Sequence, residues 1–254
     1  MERRFECTAC GKCCTGQLPL TLADAMAHAG RFPLALLWTP VPKGAGAHGL
    51  GAQLGVSIRR DKRTQMAVII GFASYLPPSF PCPELNPDGR CRIHADKPSR
   101  CRAMPFYPYR DEADQAEFLV PRKDWACNTS ETAPVVYRNH RIVDRTDFEV
   151  ERRQLTEQVP TLRHYADYVL RYMPWIVDSL QAVADQAGGQ VVTSLSSFLT
   201  ATRLPGAAAL AAKQLPLLRA YADKTAGDSR CSEFHRHYSG WAVEMEYLAR
   251  SSGD

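Results

Sequence analysis

Four cysteines lie within eight residues near the start of the chain, in FECTACGKCCTG at residues 5–16. Thiolate sulfur is a soft ligand that selects zinc, copper(I) or the iron of iron–sulfur clusters. The two-residue spacers allow a tight turn to bring Cys7, Cys10 and Cys13 around one centre, a spacing that supplies several ligands to one 4Fe–4S cluster. Gly11 allows the backbone conformation that such a turn needs. The spacing therefore predicts a metal site.

Cys14 follows Cys13 directly and needs a separate interpretation. Adjacent side chains point in different directions in both helices and strands. We therefore expect Cys13 and Cys14 not to bind one small tetrahedral ion together. They would reach two metals or different irons of one larger assembly, or one of them would be a redox-active thiol.

Four more cysteines occur later in the first half of the chain: Cys82, Cys91, Cys101 and Cys127. With the first four they make eight thiols, enough for two four-coordinate centres. His94 follows Cys91 by three residues, and its imidazole could also bind metal. Cys231 stands apart in the second half, where we expect a helix residue without metal.

Basic residues outnumber acidic ones between Cys82 and Arg110. A net positive shell offsets thiolate charge and raises the potential of a cluster. The basic residues are Arg90, Arg92, Lys97, Arg100, Arg102 and Arg110, against Glu84, Asp88 and Asp96.

Composition narrows the class of protein. The chain has 254 residues, of which 45% are hydrophobic, and a formal net charge of +4. That charge is small for a dedicated nucleic-acid binder, so we expect no nucleic acid. No stretch approaches the ~18 apolar residues of a membrane span, and no signal-like apolar run follows the first residues. We therefore expect a cytoplasmic protein without membrane contact, and nine cysteines in that reducing compartment indicate metal binding.

The pattern of residues predicts an α+β fold in two parts. Residues 1–145 form an irregular cysteine-rich metal module with a short helix starting after Thr21 and a β-hairpin at 55–76. Residues 146–254 form an α-helical unit of about five helices, one of them over 191–203, although the two parts could be one continuous domain. We expect Pro174 and Pro216 to kink their helices.

The motif CTACGKCCTG, followed at a distance by CPELNPDGRCRIHADKPSRCRAMPF, resembles the YkgJ-type cysteine-cluster proteins. These are bacterial proteins known by a CxxCxxCC motif and described as zinc- or iron-chelating. The resemblance covers residues 5–16 and 80–106 and extends less clearly to Cys127. In the second block, His94, Lys97 and Met104 replace residues of the family pattern. The positions that match it are Gly89, Cys91, Ile93, Pro98, Cys101, Arg102 and Pro105.

Three functions follow as hypotheses. The first is a redox or sensing protein with a cysteine-ligated iron–sulfur cluster, 4Fe–4S before other types. The second comes from a more distant similarity to the flagellin lysine methylase, which implies an S-adenosylmethionine-dependent enzyme acting on a protein substrate. The third is a structural zinc scaffold that binds a protein partner.

Overall fold

The computed structural model describes residues 2–42, 48–59 and 64–250. All strand pairs in it are antiparallel. The strands are β1 (Glu2–Arg4), β2 (Leu18–Leu20), β3 (Leu34–Val41), β4 (Val56–Arg59), β5 (Gln65–Ser74), β6 (Val135–Arg138), β7 (Arg141–Ile142) and β8 (Val191–Ser194).

Most of the helices follow residue 145. Short 3-10 helices occur at Glu112–Asp114, Ala116–Leu119 and Ser229–Cys231. Within the described residues, each helix is too short or too polar to cross a membrane. The α-helices are α1 (Leu22–Ala27), α2 (His48–Leu54), α3 (Ser99–Ala103), α4 (Thr146–Glu157), α5 (Val159–Tyr172), α6 (Trp175–Val183), α7 (Leu195–Thr202), α8 (Ala207–Thr225) and α9 (Ser232–Arg250).

A five-stranded sheet forms around β5. This strand pairs with β3 along one edge and with both β2 and β4 along the other. The side chains of Met66, Val68, Ile70 and Phe72 alternate into the core, as the period of a strand requires. The predicted hairpin is confirmed as β4 and β5, and residues 60–63 between them lie outside the described residues.

The second sheet joins distant parts of the first half. Its order is β1–β6–β7, so the first described residues pair with residues 135–138. A small apolar cluster that includes Phe5, Phe106 and Phe148 packs with it. This sheet carries the N-terminal cysteine segment to the neighbourhood of Cys127.

The predicted helix over 191–203 is wrong in its first part. Residues 191–194 form β8, which pairs with β3, and α7 begins only at Leu195. Val191, Val192 and Thr193 are β-branched and fit a pleated surface better than a helix. The Ser194 hydroxyl accepts the Ser197 N–H at 3.3 Å and so caps the helix that follows.

One hydrophobic core contains residues from both predicted parts of the chain. Phe72 meets Phe198 edge to face at 4.9 Å between ring centroids. The Trp38 indole N–H and the Tyr165 hydroxyl both donate to Thr193 Oγ1, at 3.0 and 2.8 Å. The α+β class is confirmed.

Prolines mark two points in the helical part. Pro174 lies between α5 and α6 and separates them, where a kink within one helix was expected. The reason is that proline lacks the N–H that would continue the hydrogen-bond ladder. Pro216 lies inside α8, which continues on both sides of it.

Gln214 of α8 holds the turn between α1 and β3. Its side-chain N–H donates to the carbonyls of Ala29 and Phe32, the latter at 2.8 Å, and its Oε1 accepts the Leu34 N–H at 2.9 Å. The side chain is fully buried. The amide therefore pairs three backbone groups that water does not reach.

Replacing Gln214 with Met keeps the length of the side chain and removes its amide. Because each buried polar group left unpaired costs about 1–3 kcal/mol, we expect the free energy of unfolding in urea to fall by roughly 3 kcal/mol or more. The control is Gln186→Met on the surface. Equal losses in the two variants would contradict the role given to Gln214.

Candidate metal centre

The first cysteine block is a turn. The Cys14 N–H donates to the Gly11 carbonyl at 3.0 Å, and Gly11 has a φ of +70°. A Cβ added to Gly11 would lie 3.1 Å from Leu85 Cδ1 and 3.2 Å from the Gly89 oxygen. Glycine is therefore required twice, for the backbone angle and for close approach to the second cysteine block.

Residues 14–16 run antiparallel to residues 80–82. The Cys82 N–H donates to the Cys14 carbonyl at 2.8 Å, and the Gly16 N–H donates to the Phe80 carbonyl at 2.9 Å. Thr15 and Pro81 form the bridge between them. This pairing places Cys82 directly beside Cys14.

Cys91 is held by a small hairpin within the proline-rich stretch. The Asn86 N–H donates to the Arg90 carbonyl at 2.8 Å, and the Arg92 N–H donates to the Glu84 carbonyl at 2.7 Å. Leu85 and Cys91 face each other across it. Backbone pairing thus returns Cys91 toward Cys82, although residues 75–98 contain no helix or named strand.

Cys127 reaches the first block through another pairing. Glu6 and Asn128 exchange backbone hydrogen bonds at 2.8 and 3.0 Å, and the Thr8 hydroxyl donates to the Ala126 carbonyl at 2.9 Å. Backbone hydrogen bonds from Lys12 and Ala126 lower the pKa of Cys10. The Cys127 segment therefore lies along Cys7 and Cys10.

Cys101 lies on α3, which is tied to α1 by Asp24. The Asp24 carboxylate accepts the Ser99 N–H at 3.1 Å and also the Ser99 hydroxyl. Both Asp24 and Ser99 are buried. A buried carboxylate must be hydrogen-bonded, so this contact fixes where α3 begins.

Two ion pairs tie α3 to α4. Arg100 and Glu151 are both buried and lie 3.1 Å apart, and Arg102 lies 3.4 Å from Asp147 at the surface. Arg100 also donates to the Phe106 carbonyl. Burial raises the pKa of Glu151 to about 7 although Arg100 opposes the shift. The residues on both sides of Cys101 are thus anchored.

The thiols fall into two groups by their effects on one another. We call Cys14, Cys82, Cys91 and Cys101 the inner thiols, and Cys7, Cys10 and Cys127 the outer thiols. Burial raises the pKa of Cys101 to about 12, and Cys82, Cys13 and Cys91 add to the shift. Partial burial raises the pKa of Cys127, with additions from Cys10, Cys7 and Cys13. Cys13 lies between the groups.

Cys13 and Cys14 point to the same side, contrary to the expectation from their adjacency. Their Sγ atoms lie 4.0 Å apart. The rule of diverging neighbours holds in helices and strands, whereas these residues close a turn. The expectation that the two side chains point in different directions is therefore wrong.

The contact between these two thiols changes their acidity. The hydrogen bond from the Cys14 thiol, aided by nearby Lys97, outweighs the effect of burial and lowers the pKa of Cys13 to about 6. The same hydrogen bond is the largest cause of a raised pKa at Cys14, and burial is the second largest. Cys13 is thus the thiolate of the pair near neutral pH.

The donor chemistry fits a soft metal because eight thiols are gathered from four segments. Among the residues that the structure describes, however, no three Cys, His, Asp or Glu side chains are grouped closely enough to hold one ion. His94 is exposed. Cys231 is buried elsewhere, with its Sγ 3.8 Å from Asp228 Oδ2 beside α9.

Several residues around the thiols were not identified from the sequence. Asp24 is 75 residues from its partner Ser99 in the sequence, and Glu151 is 51 residues from its partner Arg100. Neither acidic residue belongs to a motif. Tyr221 of α8 lies near Cys82, whose charge helps to raise the pKa of Tyr221. A buried acidic residue within an otherwise amphipathic helix, as Glu151 is in α4, was the one available signal.

Backbone pairing brings the segments that carry Cys14, Cys82, Cys91 and Cys127 beside one another, and thiols are ligands for soft metals. Residues 6–128 match the family described as "CxxCxxCC: Putative zinc- or iron-chelating domain". The match confirms the resemblance over these residues, which are just under half of the chain. The match spans Cys7 to Cys127 and leaves out Cys231. No curated protein and no solved structure matches the chain, and the similarity to the flagellin lysine methylase is not confirmed.

Cys14→Ala removes the donor to Cys13. In reduced, metal-free protein, the pKa of Cys13 should then return toward its usual value. At pH 6.5 we expect its alkylation by iodoacetamide to slow by about fivefold, since the loss of thiolate outweighs its greater nucleophilicity. Peptide mass spectrometry gives the rate at each cysteine. Cys7→Ala serves as the control, and a similar slowing there would contradict the assignment.

Asp24→Ala removes the anchor of α3. Hydrogen bonds to a charged group contribute about 1.5–3 kcal/mol, so the free energy of unfolding should fall by about that amount or more. Cys101 should also become open to alkylation in the native protein. Asp178→Ala, at an exposed position of α6, is the matched control. A stable variant with Cys101 still protected would show that α3 is held without Asp24.

Proposed function

We propose that the chain binds metal through its cysteines, with Cys13, Cys14, Cys82 and Cys101 on one tetrahedral iron or zinc atom. The observation that carries the proposal is the 4.0 Å separation of the Cys13 and Cys14 Sγ atoms. Two thiolates on one tetrahedral zinc, each at about 2.3 Å, lie about 3.8 Å apart. The pair therefore has nearly the spacing of two ligands of a single ion.

The choice of the other two ligands follows from the environment of Cys14. The thiols that raise the pKa of Cys14 are those of Cys13, Cys82 and Cys101. Cys82 is joined to Cys14 by a backbone hydrogen bond, and Cys101 is fixed by Asp24. Cys91 lies next to this set, because its charge raises the pKa of Cys82 and of Cys101.

The chain's own residues prepare this set for a cation. Lys97 lies close enough to Cys13 to favour its thiolate. The N–H groups that hold Cys10 favour the thiolate there as well. Because the thiols are not yet grouped as a closed site, binding should draw the segments together and couple metal content to stability.

A second candidate is an iron–sulfur cluster with a redox or sensing role. The CxxCxxC spacing of Cys7, Cys10 and Cys13 favours it, since several ligands from one tight turn suit a 4Fe–4S cluster. Iron would supply one-electron chemistry, whereas zinc would supply structure without redox change. The outer thiols would belong to this cluster or to a second centre.

Metal and acid-labile sulfide analysis of anaerobically purified protein decides between these candidates. A single tetrahedral site predicts iron or zinc with no labile sulfide, and a cluster predicts labile sulfide with broad visible absorbance. Cys101→Ser should lose metal and melt at a lower temperature, whereas Cys231→Ser should keep its metal. Protein without bound metal, or depletion in Cys231→Ser, would count against the proposal.

A further inference from the structure

Five rings form a continuous column through the core, which we call the aromatic column. Neighbouring centroids lie within the range of interacting aromatic pairs, about 4.5–7 Å. The rings are Tyr221, Tyr238, Tyr75, Trp241 and His237, with successive separations of 5.6, 5.8, 5.2 and 4.9 Å.

The column runs from the inner thiols to the surface. At one end, burial raises the pKa of Tyr221 to about 12, and the charge of nearby Cys82 adds to the shift. At the other end, the half-buried ring of His237 stacks on Trp241 with 5° between their planes. Tyr75 is only 2% exposed, so the middle of the column is closed to water.

Tyr75 has a proton acceptor at hydrogen-bond distance. Its hydroxyl oxygen lies 2.8 Å from His237 Nδ1. Burial lowers the pKa of His237, so near neutral pH the ring is uncharged and Nδ1 can accept the phenol proton. Phenylalanine at position 75 would keep the packing of the ring. It would also keep the main-chain carbonyl that accepts the Tyr238 hydroxyl, so the Tyr75 hydroxyl is not needed for either contact.

We propose that Tyr75 and His237 form a redox-active pair that carries one-electron oxidising equivalents along the aromatic column. The hydrogen-bond distance between Tyr75 and His237 and their places in the aromatic column support the pair. Its connection to a metal at Cys82 rests on the proposed function.

The step is balanced by an external oxidant and reductant. A one-electron oxidant of the radical class takes an electron from the Tyr75 phenol and is itself reduced. The hydroxyl proton moves across the hydrogen bond to His237 Nδ1, which leaves a neutral tyrosyl radical and an imidazolium. A thiolate in solution returns one electron to the tyrosyl radical and becomes a thiyl radical, and the His237 imidazolium returns the proton to the Tyr75 oxygen.

The test generates the radical with light. The protein as purified, and again after chelator treatment, is oxidised by photoexcited ruthenium tris-bipyridine with a cobalt(III) quencher, and high-field EPR records the tyrosyl signal. We expect a component whose g-tensor is shifted by the hydrogen bond to His237. Tyr75→Phe should lose that component, and His237→Gln should lose its shift.

Tyr165→Phe is the matched control, because Tyr165 is equally buried and donates to Thr193 outside the column. It should keep the shifted component. Wild-type protein without this component, Tyr75→Phe with it, an unaltered spectrum in His237→Gln, or an equal loss in Tyr165→Phe would overturn the proposal. Because the oxidant is added, the result is independent of metal content, which tests the proposed function separately.

Discussion

The buried carboxylate of Asp24 is the constraint on which the arrangement of the cysteine segments depends. A charge in the core must be hydrogen-bonded, and Ser99 at the start of α3 supplies two of the donors. The irregular chain between β5 and α3 is thereby fixed at its far end, next to α1. Its near end is fixed by the pairing of residues 14–16 with residues 80–82.

The ion pair between Arg100 and Glu151 orients α3 against α4. A buried ion pair contributes little net stability because desolvation offsets the attraction, but losing one partner leaves an uncompensated charge. The pair therefore restricts α3 to one orientation against α4. A helix of five residues could not keep an orientation by itself. In this way α4, outside the matched family region, determines where Cys101 lies.

The sequence predicted the hairpin, the start of α1 after Thr21, the cysteine family and most helices, since these follow from local pattern and spacing. It failed at Val191–Ser194, where apolar residues next to a helix were assigned to that helix and pairing with β3 decides the outcome. It also failed for the side-chain directions of Cys13 and Cys14, because a rule for regular backbone was applied to a turn. Asp24, Glu151 and Tyr221 could not be found, because only tertiary packing brings them to the thiols.

The place of β8 in the sheet has a consequence during synthesis. The edge of β3 that β8 covers is complete only after residue 194 has been made, about 150 residues after β3 ends at Val41. At about 5–20 residues per second, the ribosome needs roughly 8–30 s for that interval. During it, the nascent chain presents an open strand edge together with reduced thiols, and such an edge is a template for pairing with other chains. Cover of that edge by a chaperone would matter most in those seconds.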